Sequence, residues 1–115
     1  MNDINKLTDL DELERVFEGS RRRPVWIFKH SLICPISTRA WEEYQQYFEE
    51  AGSTAADFTL IEIQRARPVS AAVTERTGVR HESPQAILLV DGEPRWHASH
   101  SSITVRSLAE AADRI

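Results

Sequence analysis

The chain has 115 residues, 41% of them apolar and 28% charged, with a formal net charge of −4 at pH 7. These values fit one soluble globular domain over residues 1–115, long enough to bury a core without covalent staples. They argue against a general nucleic-acid binder, which should be basic, and no apolar run approaches the ~18 residues of a membrane-spanning helix.

Leu7, Leu10, Leu13, Val16 and Phe17 recur at helical spacing with acidic residues between them, predicting a first helix. Thr8 with Asp11 makes a capping-box-like start, and Gly19-Ser20 a stop. Arg21-Arg22-Arg23 reads as a solvated loop leading to Pro24. Val25-Trp26-Ile27-Phe28 is a β-forming apolar run without alternation, as in a strand covered on both faces, and Lys29-His30-Ser31 marks its exit. From Pro35 the pattern turns helical: Ala40, Trp41, Tyr44, Phe48 and Ala51 share one face, and Gly52-Ser53 ends it.

Phe58 to Ile63 predicts a second strand, and Pro68 opens a helix carrying Val69, Ala72 and Val73 that stops at Gly78. Ala86 to Val90 predicts a third strand, and Asp91-Gly92 a tight hairpin. In the strand that follows, roughly Pro94 to Ala98, the proline suits a sheet edge. Thr104 caps a last helix bearing Val105, Leu108, Ala109 and Ala112, with Ile103 and Leu108 placed as a hydrophobic staple. The expected order is therefore α-β-α-β-α-β-β-α. A strand–helix–strand crossover implies a parallel pair, and the hairpin adds an antiparallel one. A four-stranded mixed sheet flanked by helices on both faces satisfies this order, which is the thioredoxin-like α/β arrangement.

Cys34 is the sole cysteine. It rules out an internal disulfide framework and fits a reducing compartment. The segment Met1 to Lys6 lacks the charged start and apolar run of a secretory signal, so the expected location is the cytoplasm. Within Cys34-Pro35-Ile36-Ser37 the cysteine stands at the start of the second helix. Unpaired N–H groups and the positive end of the helix dipole favour thiolate there, and the thiolate is the nucleophile. Pro35 fits the first helical position, where its missing N–H costs nothing. Pro35, Ile36 and Ser37 are expected to support the thiolate, Ser37 by offering a hydroxyl hydrogen to the sulfur. Ser37 also stands where the second cysteine of a Cys-x-x-Cys pair would stand, so the site has one thiol and cannot resolve its own mixed disulfide. Arg39, Lys29 and His30 could add positive field.

Ser83-Pro84 precedes the third strand, where a thioredoxin-like fold faces the cysteine loop. A cis proline there would expose backbone groups to an incoming disulfide segment, although the dipeptide alone favours trans. No metal site is expected. His97 and His100 lie three apart on a strand-like run and point to opposite faces, and His81 reads as a free loop histidine.

Taken together, Lys29-His30-Ser31, Cys34-Pro35-Ile36-Ser37, His81-Glu82-Ser83-Pro84-Gln85-Ala86, Asp91-Gly92-Glu93 and Ser107-Leu108-Ala109 make the chain resemble the YtxJ-type monothiol bacilliredoxins. The resemblance implies a thioredoxin-like fold and a cytoplasmic role in thiol balance. It implies that Cys34 removes bacillithiol from S-bacillithiolated proteins, with a further bacillithiol as co-substrate and no bound cofactor. Pro84 would be the cis-proline position, with Ser83 beside it in substrate binding. One departure is Ile33, where a threonine commonly precedes the cysteine. The competing expectations are a transferase using glutathione or another small thiol, and a redox sensor or interaction module without turnover. Cluster carriage is disfavoured, since iron–sulfur clusters generally want four sulfur ligands.

Overall fold

Six consecutive buried residues, Val25–His30, form the central strand β2. The computed structural model describes residues 3–52 and 55–115, so Met1 and Asn2, and Ser53 of the expected helix stop, lie outside the described residues. Around β2 the chain runs β1 (Ile4–Lys6), α1 (Leu10–Gly19), β2, α2 (Pro35–Ala51), β3 (Asp57–Glu62), a 3-10 turn (Ile63–Arg65) and α3 (Arg67–Thr77). It continues with β4 (Gln85–Val90), β5 (Glu93–Ser99), a second 3-10 turn (His100–Ser102) and α4 (Val105–Asp113). The sheet order is β1-β3-β2-β4-β5. β2 pairs parallel with β3, as the crossover requires, and antiparallel with β4, while the hairpin makes β4 and β5 an antiparallel pair.

Side chains alternate across a strand, and that sorts β2 into two cores. Val25 and Ile27 join Leu13 and Phe17 of α1 and Val69 and Val73 of α3 on one face. Trp26 and Phe28 join Ala40, Tyr44 and Tyr47 of α2 and Leu108 and Ala111 of α4 on the other. The second core is tied by polar bonds as well: Tyr44 Oη donates to Thr59 O at 2.9 Å, and Thr59 Oγ1 donates to Trp26 O at 2.7 Å. Tyr47 is buried and Ala51 is exposed, so the buried stripe of α2 is rotated slightly from the expected one.

Two expectations need correction. The sheet has five strands rather than four, because Ile4–Lys6 pairs with Phe58–Leu60. Three mostly exposed residues at an edge carry no alternating pattern that a sequence could show. The cap of α1 is Asp9 with Glu12, not Thr8 with Asp11: Glu12 N donates to Asp9 Oδ1 at 2.8 Å, and the Glu12 carboxylate accepts from Asp9 N at 3.3 Å. Thr8 takes a supporting part, its N–H and hydroxyl both donating to Glu12 Oε1. Leu7 is buried but precedes the helix, and Leu10 is exposed.

At the other end Thr104 and Ser107 form the capping box of α4, and Ile103 and Leu108 share one core. Among the described residues β5 pairs only with β4, and Pro94 sits on that edge strand opposite Leu89, beside a register shift. The reassigned cap of α1 is testable by urea unfolding. Asp9→Ala is expected to lower stability by about 1 kcal/mol, the usual cost of a lost cap, and Thr8→Ala by less.

Candidate active site

β2 delivers the chain to Cys34, and three contacts fix the intervening loop. Leu32 N donates to Gln64 Oε1 at 2.9 Å, and Gln64 Nε2 donates to Ser31 Oγ at 3.0 Å. Ser31 N donates to Ser37 Oγ at 2.8 Å. One amide from the turn after β3 thus holds two consecutive loop residues, and the first turn of α2 holds the loop from the other side. Cys34 is the N-cap of α2, with extended backbone and no capping bond from its side chain, and Pro35 lies in the first turn. The thiol is free and half-buried. Its chain neighbours Ile33 and Ile36 are 82% and 52% exposed, so the loop and the first turn of α2 present apolar surface.

Ser37 is fully buried, and its hydroxyl has partners of its own. It accepts from Ser31 N–H, and one hydrogen lies between its Oγ and His30 Nδ1 at 2.8 Å. Among the described residues no hydrogen bond joins it to Cys34. The residue that takes the place of a second thiol therefore ties β2, the cysteine loop and α2 together. His30 stacks on the Trp41 ring at 5.7 Å, and burial lowers its pKa, with the Glu62 carboxylate pulling the other way.

Lys29 departs furthest from the sequence reading. Alternation turns it to the face of β2 away from His30, and it is wholly buried rather than at a strand exit. Its ammonium donates to Thr74 Oγ1 and His81 Nδ1, both at 3.1 Å. Among the described residues it has no carboxylate partner. Burial pushes its pKa down to about 8. His81 is thus a partner of Lys29 and not a free histidine, and burial together with the Lys29 charge lowers its pKa.

The Ser83-Pro84 peptide is cis, and Pro84 is buried. Pro84 O accepts from His100 N at 3.1 Å. His100 lines one wall of a cavity of about 520 Å³ whose other wall starts at Pro35 and Ile36. The first turn of α2 and the residue bonded to Pro84 therefore border one space. Gln64, the Lys29–His81 pair and this cavity had no local signal, since each joins residues tens of positions apart.

Among the described residues no three His, Cys, Asp or Glu side chains gather as a metal site would need, and no helix is long and apolar enough to cross a membrane.

This arrangement is a thioredoxin fold. A thioredoxin from Fasciola hepatica superposes with a TM-score of 0.76 over 96% of this chain and 98% of its own, at 14% identity. Mitochondrial thioredoxin 3 from Saccharomyces cerevisiae gives 0.73 over 97% and 95%, at 12% identity. At such identities the likeness concerns the fold alone. A thioredoxin-fold protein described as a candidate oxidoreductase is nearer, with a TM-score of 0.84 and 35% identity over 95% of this chain and 93% of its own. The sequence model of the monothiol bacilliredoxin family BrxC matches residues 5–108, and the chain belongs to that family.

Two variants probe the site's framework. Ser37→Ala leaves Ser31 N–H and the His30 ring short of a buried partner, so unfolding free energy is expected to fall by about 1–3 kcal/mol. Lys29 tests the opposite face. Its ammonium is disfavoured by folding, so between about pH 8 and the usual 10.5 the unfolded chain holds a proton that the folded chain has released. Stability should therefore rise with pH across that window. Urea midpoints at pH 7, 8, 9 and 10 are expected to show this rise in the unaltered protein, and Lys29→Met to lack it.

Proposed function

We propose that this protein is a monothiol bacilliredoxin that strips bacillithiol from mixed disulfides on proteins, with Cys34 as nucleophile. The carrying observation is a lone, half-exposed thiol at the start of α2, with a buried serine in place of a resolving cysteine. Membership in the monothiol family and in the thioredoxin fold supports thiol–disulfide exchange in general.

In the proposed reaction the Cys34 thiolate attacks the bacillithiol sulfur of the mixed disulfide. The bond to the protein sulfur breaks, the protein departs as a thiolate, and bacillithiol is left on Cys34. A second bacillithiol thiolate then attacks the sulfur carried on Cys34. Bacillithiol disulfide forms, and the Cys34 thiolate is regenerated. One disulfide is consumed and one is formed in each step, so no electrons enter or leave. Pro35 and Ile36 shape the surface at the nucleophile, and Ser37 fixes the loop that carries it. Ser83 and Pro84 are assigned to receive the substrate backbone. The partners are S-thiolated proteins and the small thiol, in the cytoplasm.

The test is turnover of an S-bacillithiolated peptide by purified protein with bacillithiol in excess. Many turnovers per protein are expected, and none by Cys34→Ser. Equal release with both proteins would overturn the reading. Equal turnover of a glutathionylated peptide would keep the chemistry and remove bacillithiol as the preferred thiol. A single stoichiometric loading of Cys34 would instead identify a sensor.

A further inference from the structure

The cavity whose lining begins at Pro35, the chain neighbour of Cys34, has no part in the proposed exchange. One wall is the first two turns of α2, including Pro35, Ile36 and Arg39, and begins one residue after the nucleophile. The facing wall is the segment between β5 and α4, including His100, Ser101 and Thr104. Its volume of about 520 Å³ lies in the range of small-ligand sites, roughly 300–1,000 Å³. The cavities near α1 and α3, of about 370, 320 and 530 Å³, are lined by no residue of the cysteine loop or of α2.

The chemistry of the lining is specific. Ala40 and Ile103, both nearly inaccessible, give an apolar base. Arg39 is exposed, and among the described residues it makes no ion pair or hydrogen bond, so its fork of donors is open to a carboxylate. The Glu43 carboxylate is held at this cavity because its Oε1 accepts from Val105 N at 2.8 Å, and its second oxygen is available to a hydroxyl or ammonium group. Ser101 and Thr104 add polar groups of the same kind. A cationic fork, a fixed carboxylate and hydroxyls around a small apolar base suit a compact molecule bearing both a carboxylate and hydroxyl or ammonium groups.

We propose that this cavity seats the small-thiol half of the mixed disulfide, with its carboxylate on Arg39 and its hydroxyl or ammonium groups toward Glu43. The proposal rests on the exchange reading above and names the positions that select the thiol. Exchange needs the attacking, central and leaving sulfurs in line. A small thiol anchored beside Cys34 presents its own sulfur as the central one. The protein half then lies beyond it, over the exposed Ile33 side. Attack on the wrong sulfur, which would load the protein onto Cys34, is disfavoured by the same placement. Arg39 here is a binding and specificity residue, and it takes no part in bond making.

The experiment compares one peptide blocked with bacillithiol, which carries carboxylates and sugar hydroxyls, and the same peptide blocked with 2-mercaptoethanol, which has no carboxylate. Arg39→Ala is expected to raise KM for the first about tenfold, as for one exposed charge-assisted contact, and to leave the second within twofold. Arg39→Lys is expected to recover only part of the loss, because a point charge replaces the planar fork. Equal losses on both peptides, or no loss on either, would overturn the proposal. Amide shifts in Cys34→Ser, titrated with free bacillithiol, separate this from the exchange reading. Saturable movement at Ala40 and Thr104 supports the cavity even if no peptide is turned over. Absence of movement there overturns the cavity even if turnover is rapid.

Discussion

Every part of this molecule that matters for chemistry is referred to β2, a strand paired on both edges and covered on both faces. A strand with no solvent side has no room for an arbitrary residue. Each position must either fill one of the two cores or satisfy its polar groups locally. Val25 to Phe28 take the first course. Lys29 and His30 take the second, each finding its partners on its own face of the sheet. Alternation of side chains across the strand thereby sends the lysine toward α3 and the histidine toward α2, and the chain leaves the sheet already committed at both faces.

This commitment explains how the cysteine loop is held without a covalent link. Only three residues separate the end of β2 from the N-cap of α2. Ser37 bonds back to the loop and to His30, and Gln64 grips two loop residues from the neighbouring strand's exit. The thiol is therefore presented by a tightly determined scaffold, and its chain neighbours Ile33 and Ile36 present apolar surface. A rigid support under an accessible sulfur is the arrangement that positions a nucleophile without burying it.

Much of the architecture was legible in the sequence because the signals were local. The Asp91-Gly92 hairpin, the edge position of Pro94, the Thr104 cap and the placement of Cys34 at a helix start each depend on a handful of neighbouring residues. The failures were of other kinds. β1 is too short to show a period, and α1 has competing cap residues at the same spacing, of which Asp9 with Glu12 wins because the longer glutamate side chain reaches back to the N-cap N–H. Lys29 and His30 looked like a strand exit because polar residues ordinarily mean solvent. Their burial is made possible by Thr74, His81 and Ser37, the first two lying more than forty residues away. No reading of the strand alone contains those partners. The cavity that starts at Pro35 is likewise assembled from α2 and the segment before α4, which meet only in the folded chain.

The two faces of β2 also differ in how they answer acidity. Gln64 secures the cysteine loop through an amide, which has no proton to gain or lose over the ordinary range. The contact behind the sheet joins an ammonium to an imidazole, and either partner can change its charge. Acid or alkali can thus disturb the anchorage at α3 while the tether of the loop itself keeps its grip. On the cysteine side only the Gln64 tether is insulated from the proton concentration, because Ser37, the loop's other anchor, shares its hydrogen with the titratable His30 ring.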